Sequence, residues 1–322
     1  MSSNEARASG EAVIETHGLT KVFGKRVVVD GIDIAVPPRA VAGFVGPNGA
    51  GKTTTLRMLL GLIKPSDGSG RVLGVPLTSP AEYLPRVGAL VEGPAFYPAL
   101  SGARNLAVQA ALSGHDPVQI PALLERVGLA DRGDDPYKAY SQGMKQRLGI
   151  AAALLGDPEL LMLDEPTNGI DPAGIRQMRG LLRSLTDEHR TVIISSHLLA
   201  EVQQICDWLI VIENGKPIFQ GSTQELLAGG EAELVLATEK DTELARLQAL
   251  LERRGVVAMR SNDHLSVSLS DLKVTVGSAE ARRALGEINR AAIAEEITLV
   301  EMTVVNTSLE DRYMALTSGV PQ

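Results

Sequence analysis

The chain has one cysteine, Cys206, in 322 residues. No internal disulfide can form, which excludes a disulfide-stapled secreted scaffold and fits a reducing compartment. Aromatic residues are scarce, at 3%. Long hydrophobic runs are missing. The best, LGIAAALLG at 148–156 and ELLMLD at 159–164, fall far short of the ~18–20 residues of a membrane-spanning helix. A dense Lys/Arg block is also missing, and the formal net charge is −8. That argues against nucleic acid as the main partner. Residues 1–12 hold no apolar signal core and read as a short disordered tail. If this chain serves a membrane process, another chain must supply the membrane part.

What is present is an ordinary apolar fraction, 44%, in a chain long enough for one large α/β domain and a smaller second one. Residues 13–44 alternate β-type runs with turn residues and predict a small antiparallel sheet leading into a core strand at 41–45. A helix is expected over 53–63, ending near Lys64-Pro65, followed by a turn cluster, KPSDGSG. From about 95 to 156 the pattern is helical. Core strands at 159–163 and 191–195 flank a helix at 172–187. That spacing predicts a mostly parallel sheet covered on both faces. Runs at 208–213 and 216–219 predict a closing hairpin around Asn214-Gly215. Composition breaks at Ala228-Gly229-Gly230. The organisation expected is thus a tail over 1–12, a large α/β domain over 13–228, and a small α+β accessory domain over 231–322. The order of runs in the last suggests a ferredoxin-like arrangement.

The segment Gly46-Pro47-Asn48-Gly49-Ala50-Gly51-Lys52-Thr53-Thr54 fits the phosphate-loop spacing GxxxxGK[ST]. Gly49 and Gly51 clear side chains from where backbone N–H groups must close on phosphate oxygens. Lys52 supplies a point charge for the β- and γ-phosphates, Thr53 offers a hydroxyl to Mg²⁺, and the helix beginning there aims its positive end at the same anion. Downstream, LLMLDEP places Asp164 and Glu165 at the carboxyl end of a buried strand, where ligands bind in open α/β sheets. Asp164 suits Mg²⁺ and Glu165 suits activation of water. Without the phosphate loop, the pair would serve equally well as an acidic cap before Pro166. Ser141-Gln142-Gly143 opens a helix; taken alone, Ser141 is a plain N-cap.

In this order and spacing, GPNGAGKT, YSQG, LLMLDEP, NGID and Ser196-His197 resemble the ATPase subunit of an ABC transporter over about residues 13–225. The resemblance implies that Ser141, Gln142 and Gly143 reach across a dimer interface to ATP held by the other copy's phosphate loop. The usual run there is Leu-Ser-Gly-Gly-Gln; here Tyr140, Gln142 and Met144 depart from it, while Ser141 and Gly143 remain. It further implies that Phe23 lies against adenine, that His197 positions phosphate and water, and that Asp171 belongs to a loop coupling two nucleotide sites. The plainer readings are a core Phe23, a structural His197 and a helix N-cap at Asp171. Glu92 stands where most relatives carry a glutamine touching Mg²⁺ and the attacking water; its other reading is a surface acid beside a turn. EGPAFYPALS at 92–101 resembles the bacitracin- and lantibiotic-resistance branch of exporters, and SLEDRYMALT at 308–317 resembles the ends of many exporter ATPases. Phe96 and Tyr97 suit either docking of a partner helix or core packing.

The resemblance implies a Mg²⁺-dependent ATPase in which two copies sandwich two ATP molecules and drive a separate membrane permease from the cytoplasmic face. A soluble ABC ATPase of translation or DNA maintenance stays open as the alternative. Against it stand the single cassette and the lack of sustained heptads between Thr53 and Ser141. A regulatory role for the C-terminal domain is open beside either reading.

Overall fold

The computed structural model describes residues 12–93, 95–228, 232–261, 263–272, 274, 278–305 and 308–318. Of the expected tail only Ala12 is among them, and the Gly229-Gly230 break lies outside them. The chain separates into two compact units, Met1–Thr223 and Gln224–Gln322.

In the first unit the strands are β1 (Ile14–Phe23), β2 (Arg26–Val36), β3 (Val41–Val45), β4 (Asp67–Val72), β5 (Val75–Pro76), β6 (Val87–Leu90), β7 (Leu160–Asp164), β8 (Thr191–Ser196), β9 (Trp208–Glu213) and β10 (Lys216–Ser222). The helices are α1 (Lys52–Leu59), α2 (Pro80–Tyr83), α3 (Gly102–Ser113), α4 (Ile120–Arg126), α5 (Gln142–Ala153), α6 (Pro172–Asp187) and α7 (Leu199–Ile205). One sheet runs β2-β1-β4-β5 and is antiparallel. The other runs β10-β9-β3-β8-β7-β6, parallel throughout except for β10. Its central strands are near-continuous apolar runs because both faces are covered; Val41, Phe44, Leu160–Leu163 and Val192–Ile194 are all buried. Phe44, Leu160, Ile193 and Ile210 share one core with Ile14, Leu19, Val29 and Ile32 of the antiparallel sheet. Helix α1 adds Leu56, Met58 and Leu59 to it. Each such side chain contributes about 1.5–3 kcal/mol on burial.

Three local expectations are corrected. The turn cluster at 64–70 gives way at Asp67 to β4, because β1 supplies a pairing partner that overrides weak strand propensity. Gly68 fits there because a side chain would run into the Gly18 backbone. Helix α1 stops at Leu59 rather than near Lys64, and the buried Tyr83 hydroxyl donates to the Leu59 carbonyl at 2.9 Å, satisfying one of the acceptors a helix end leaves free. Strand β6, unforeseen, extends the parallel sheet beside β7.

Parallel pairing of β3, β8 and β7 brings their carboxyl ends to one edge. Val45 pairs with Ser196, and Asp164 with Ser195. The loops after these strands therefore meet where open α/β sheets bind ligands. Helices α3, α4 and α5 pack on one another.

Helix α8 (Thr223–Ala228) begins at the last residue of the first unit, and the second unit continues with β11 (Glu233–Thr238), α9 (Asp241–Arg253), β12 (Met259–Arg260), β13 (Leu265–Ser268), α10 (Ala279–Ala294), β14 (Leu299–Val305) and α11 (Leu309–Ser318). The sheet order β12-β13-β11-β14, antiparallel throughout, is that of the ferredoxin-like split βαβ. Leu234, Leu236 and Val267 of the sheet share its core with Leu244, Leu247 and Ala292 of α9 and α10.

Candidate active site

The phosphate loop joins β3 to α1 and lines a cleft of about 450 Å³. Its glycines are set by space as well as by backbone angle. A side chain at Gly46 would strike the Ile212 carbonyl, and at Gly51, where φ is +105°, it would come to 2.8 Å from the Val28 carbonyl. Asn48, Gly49, Gly51, Lys52, Thr53 and Thr54 face the cleft. Pro47 accepts from the Ala50 amide at 3.2 Å, closing the turn. Lys52 folds back over the loop: its Nζ donates to the carbonyls of Gly46 at 2.7 Å and Pro47 at 3.1 Å, and lies 3.7 Å from Glu165 Oε1. Burial pushes the Lys52 pKa below its ordinary value, against the opposing pull of Glu165 and Asp164.

The acids come from the end of β7. Thr53 Oγ1 donates to the Asp164 carboxylate, 3.1 and 3.0 Å from its two oxygens. Glu165 has left-handed backbone, φ +48°, a sparsely populated region for a side-chain-bearing residue. His197 Nδ1 lies 2.8 Å from Glu165 Oε2. A carboxylate oxygen accepts, so Nδ1 is the donor of this contact and Nε2 is the ring's other polar atom. Both Glu165 and His197 line the cleft.

Among the described residues no cluster of three or more His, Cys, Asp or Glu side chains forms a metal site by itself. The Thr53 hydroxyl and Asp164 carboxylate do converge as hard oxygen donors. That is the donor type Mg²⁺ takes when it is held by one or two protein groups together with substrate phosphates and water, so the residues fit that ion.

The remaining expected residues fall in different places. Phe23 lines the cleft, is 49% exposed, and has Lys21 Nζ 5.0 Å from its ring centroid. Ser141, Gln142 and Gly143 are not among the cleft-lining residues. Ser141 caps α5, accepting from the Met144 amide at 3.3 Å. Added side-chain atoms at Gly143 would meet Ile170, and at Gly169 would meet Gln142, so this element packs on the loop that leads to Asp171. Asp171 caps α6, accepting from the Gly174 amide at 2.7 Å. Glu92, also in left-handed backbone with φ +62°, is outside the cleft lining and is ion-paired with Arg57 of α1. Phe96 packs edge-on against Tyr137 at 5.2 Å, while Tyr97 is exposed.

Sequence reasoning missed Arg26 and Asn168, which line the cleft, and Ser195. Asn168 could have been found from its place between the acids and the Asn-Gly-Ile-Asp turn. For Ser195 the signal was a polar pair ending the apolar run TVIISS at the ligand-binding edge. Nothing in sequence marked Arg26.

The family profile described as ABC transporter matches residues 29–168. The bacitracin transport ATP-binding protein BcrA of Bacillus licheniformis is 38% identical over 95% of this chain and 98% of its own length. An uncharacterised ABC transporter ATP-binding protein of Bacillus subtilis, YhcH, is 38% identical over 95% of this chain and 96% of its own. The daunorubicin/doxorubicin resistance ATP-binding protein DrrA of Streptomyces peucetius is 35% identical over 94% and 92%. Among solved structures, cbiO1 of Clostridium perfringens, part of an ABC transporter complex, superposes with a TM-score of 0.62 at 26% identity, covering 76% of this chain and 97% of that one. With a phosphate loop, the strand-end Glu165 and a histidine gathered on one cleft, and relatives spanning nearly its full length, the chain belongs to the ABC transporter ATP-binding family and is an ATPase of that type.

Proposed function

We propose that the chain is the ATP-hydrolysing subunit of an exporter, acting as two copies on the cytoplasmic face of a separate permease. The observation that carries the chemistry is the Glu165–His197 contact at 2.8 Å, beside Lys52 and the phosphate loop. Lys52 neutralises the β- and γ-phosphates. Glu165 takes the proton of the attacking water, and His197 holds the carboxylate in place and presents Nε2 toward the cleft. Thr53 and Asp164 hold Mg²⁺, which when bound offsets phosphate charge. Phe23 stacks on adenine. Ser141 and Gly143, outside their own chain's cleft, serve the partner's ATP, and Asp171 links the two sites. In this division of labour residues 13–228 hold the ATPase and 231–322 an accessory domain.

Transport is favoured over a role in translation or DNA maintenance because relatives that cover nearly the whole chain are named for transport or drug resistance. Among the described residues no helix is long and apolar enough to cross a membrane, so a second chain would supply the pathway. The cargo classes to test first are peptide antibiotics of the bacitracin kind and anthracyclines.

The experiment is Glu165→Gln in the full chain. ATP affinity should stay within about threefold, while kcat falls by about 100-fold or more, and ATP should drive the variant into a dimer on a sizing column. Near-normal turnover would sink the assignment of the base.

A further inference from the structure

Ser195 is the penultimate residue of the central strand β8 and is fully buried. In the parallel ladder it pairs with Asp164, so both side chains rise from the sheet on one face. The Ser195 hydroxyl donates to Asp164 Oδ1, and the Ser195 oxygen accepts from the Glu165 backbone N–H at 2.9 Å. A serine hydroxyl has one proton. The Glu165 amide occupies a lone pair and the Asp164 carboxylate can only accept, so the proton has one place to go. One oxygen thus fixes two neighbouring acids of different duty. It orients the carboxylate that faces Thr53, and it satisfies the amide of a residue held at φ +48°.

We infer that Ser195 is a positioning residue of the ATPase site: it sets the Asp164 carboxylate and holds Glu165 in the left-handed backbone that points its side chain at His197. This rests on the reading of Glu165 as the base and Asp164 as the metal-side acid. Ser195 is not among the cleft-lining residues; it acts through those two residues. A left-handed glutamate with an unsatisfied amide would relax toward commoner backbone angles. That would carry its carboxylate away from His197, and displacements of this kind weaken turnover far more than binding.

The test compares Ser195→Thr with Ser195→Val in the full chain. The two side chains are nearly isosteric, so any packing strain from the added methyl is common to both, and the hydroxyl alone differs. Ser195→Ala is the third arm. The expected result is that the threonine variant retains most of the wild-type kcat, while the valine and alanine variants lose about 10- to 100-fold. KM for ATP and calorimetric ATP affinity should move by less than about threefold in all, because Lys52 and the loop are unchanged. The Mg²⁺ concentration for half-maximal rate should rise severalfold in the valine and alanine variants alone. Equal kcat in the threonine and valine variants, beside an inactive Glu165→Gln, would overturn the Ser195 assignment by itself. Full turnover in Glu165→Gln would overturn the underlying base reading instead.

Discussion

The Glu92 carboxylate, on the loop after β6, is ion-paired with the guanidinium of Arg57 on the flank of α1. The pair ties the acid that stands at the expected glutamine position to the helix that springs from the phosphate loop. The Arg57 guanidinium thereby offsets the Glu92 charge at the flank of α1. Arg57→Ala should weaken MgATP binding several-fold, and Glu92→Gln in the same chain should recover it. A double-mutant cycle by calorimetry reads the coupling. Both single variants should change unfolding free energy by less than about 1 kcal/mol, because Glu92 is exposed and Arg57 only half-buried.

Lys52 is buried, with its ammonium on two loop carbonyls and near Glu165. Lys52→Ala should therefore lower ATP affinity by at least about tenfold. Unchanged binding in calorimetry would remove the phosphate loop from the site.

His197→Ala takes away the donor that orients Glu165. The carboxylate keeps its chemistry but loses its aim, so kcat should fall by about 10- to 100-fold with ATP affinity little changed. A loss confined to KM would instead make His197 a binding residue.

Glu159 is held below its ordinary carboxylate range by the Arg86 guanidinium, which meets it through bonds of 2.6 and 2.8 Å. A depressed carboxylate stabilises the fold above the unfolded-chain value of about 4.3 and loses that contribution as pH falls through its lower folded value. Glu159→Gln should remove that part of the acid destabilisation, roughly 0.2–1 kcal/mol for so exposed a pair. The urea midpoint at pH 6 and pH 3 measures it.

Burial, with a smaller push from Asp207, raises the Cys206 thiol above its ordinary range. Alkylation of the native protein should be at least about 100-fold slower than in guanidinium. Fast native labelling would show that the core around Gly43, Val202 and Cys206 opens readily.

Much of this was legible because the chemistry uses residue types at fixed spacing. Gly46 to Thr54 and Asp164-Glu165 announce themselves through glycines, a lysine and acids beside an apolar strand. Strands β4 and β6 did not. Val87–Leu90 is four residues long, too short for periodicity to separate strand from helix. Asp67–Val72 becomes a strand only through pairing with β1. Ser195 is invisible for a related reason: its meeting with Asp164 is made by the parallel register of β7 and β8, residues thirty-one apart in the chain. Glu92 was legible as a departure, but its partner Arg57 was not, since nothing in a linear reading brings that loop to that helix.

The placement of Ser141 outside its own chain's cleft has a genetic consequence. On the two-copy arrangement proposed above, a chain lacking Lys52 and a chain with a bulky residue at Ser141 are each inactive alone, for different reasons. Expressed together they form mixed pairs. In such a pair one site receives both defects and the other receives neither. Two null alleles of this gene should therefore complement each other, and alleles damaged in the same half should not.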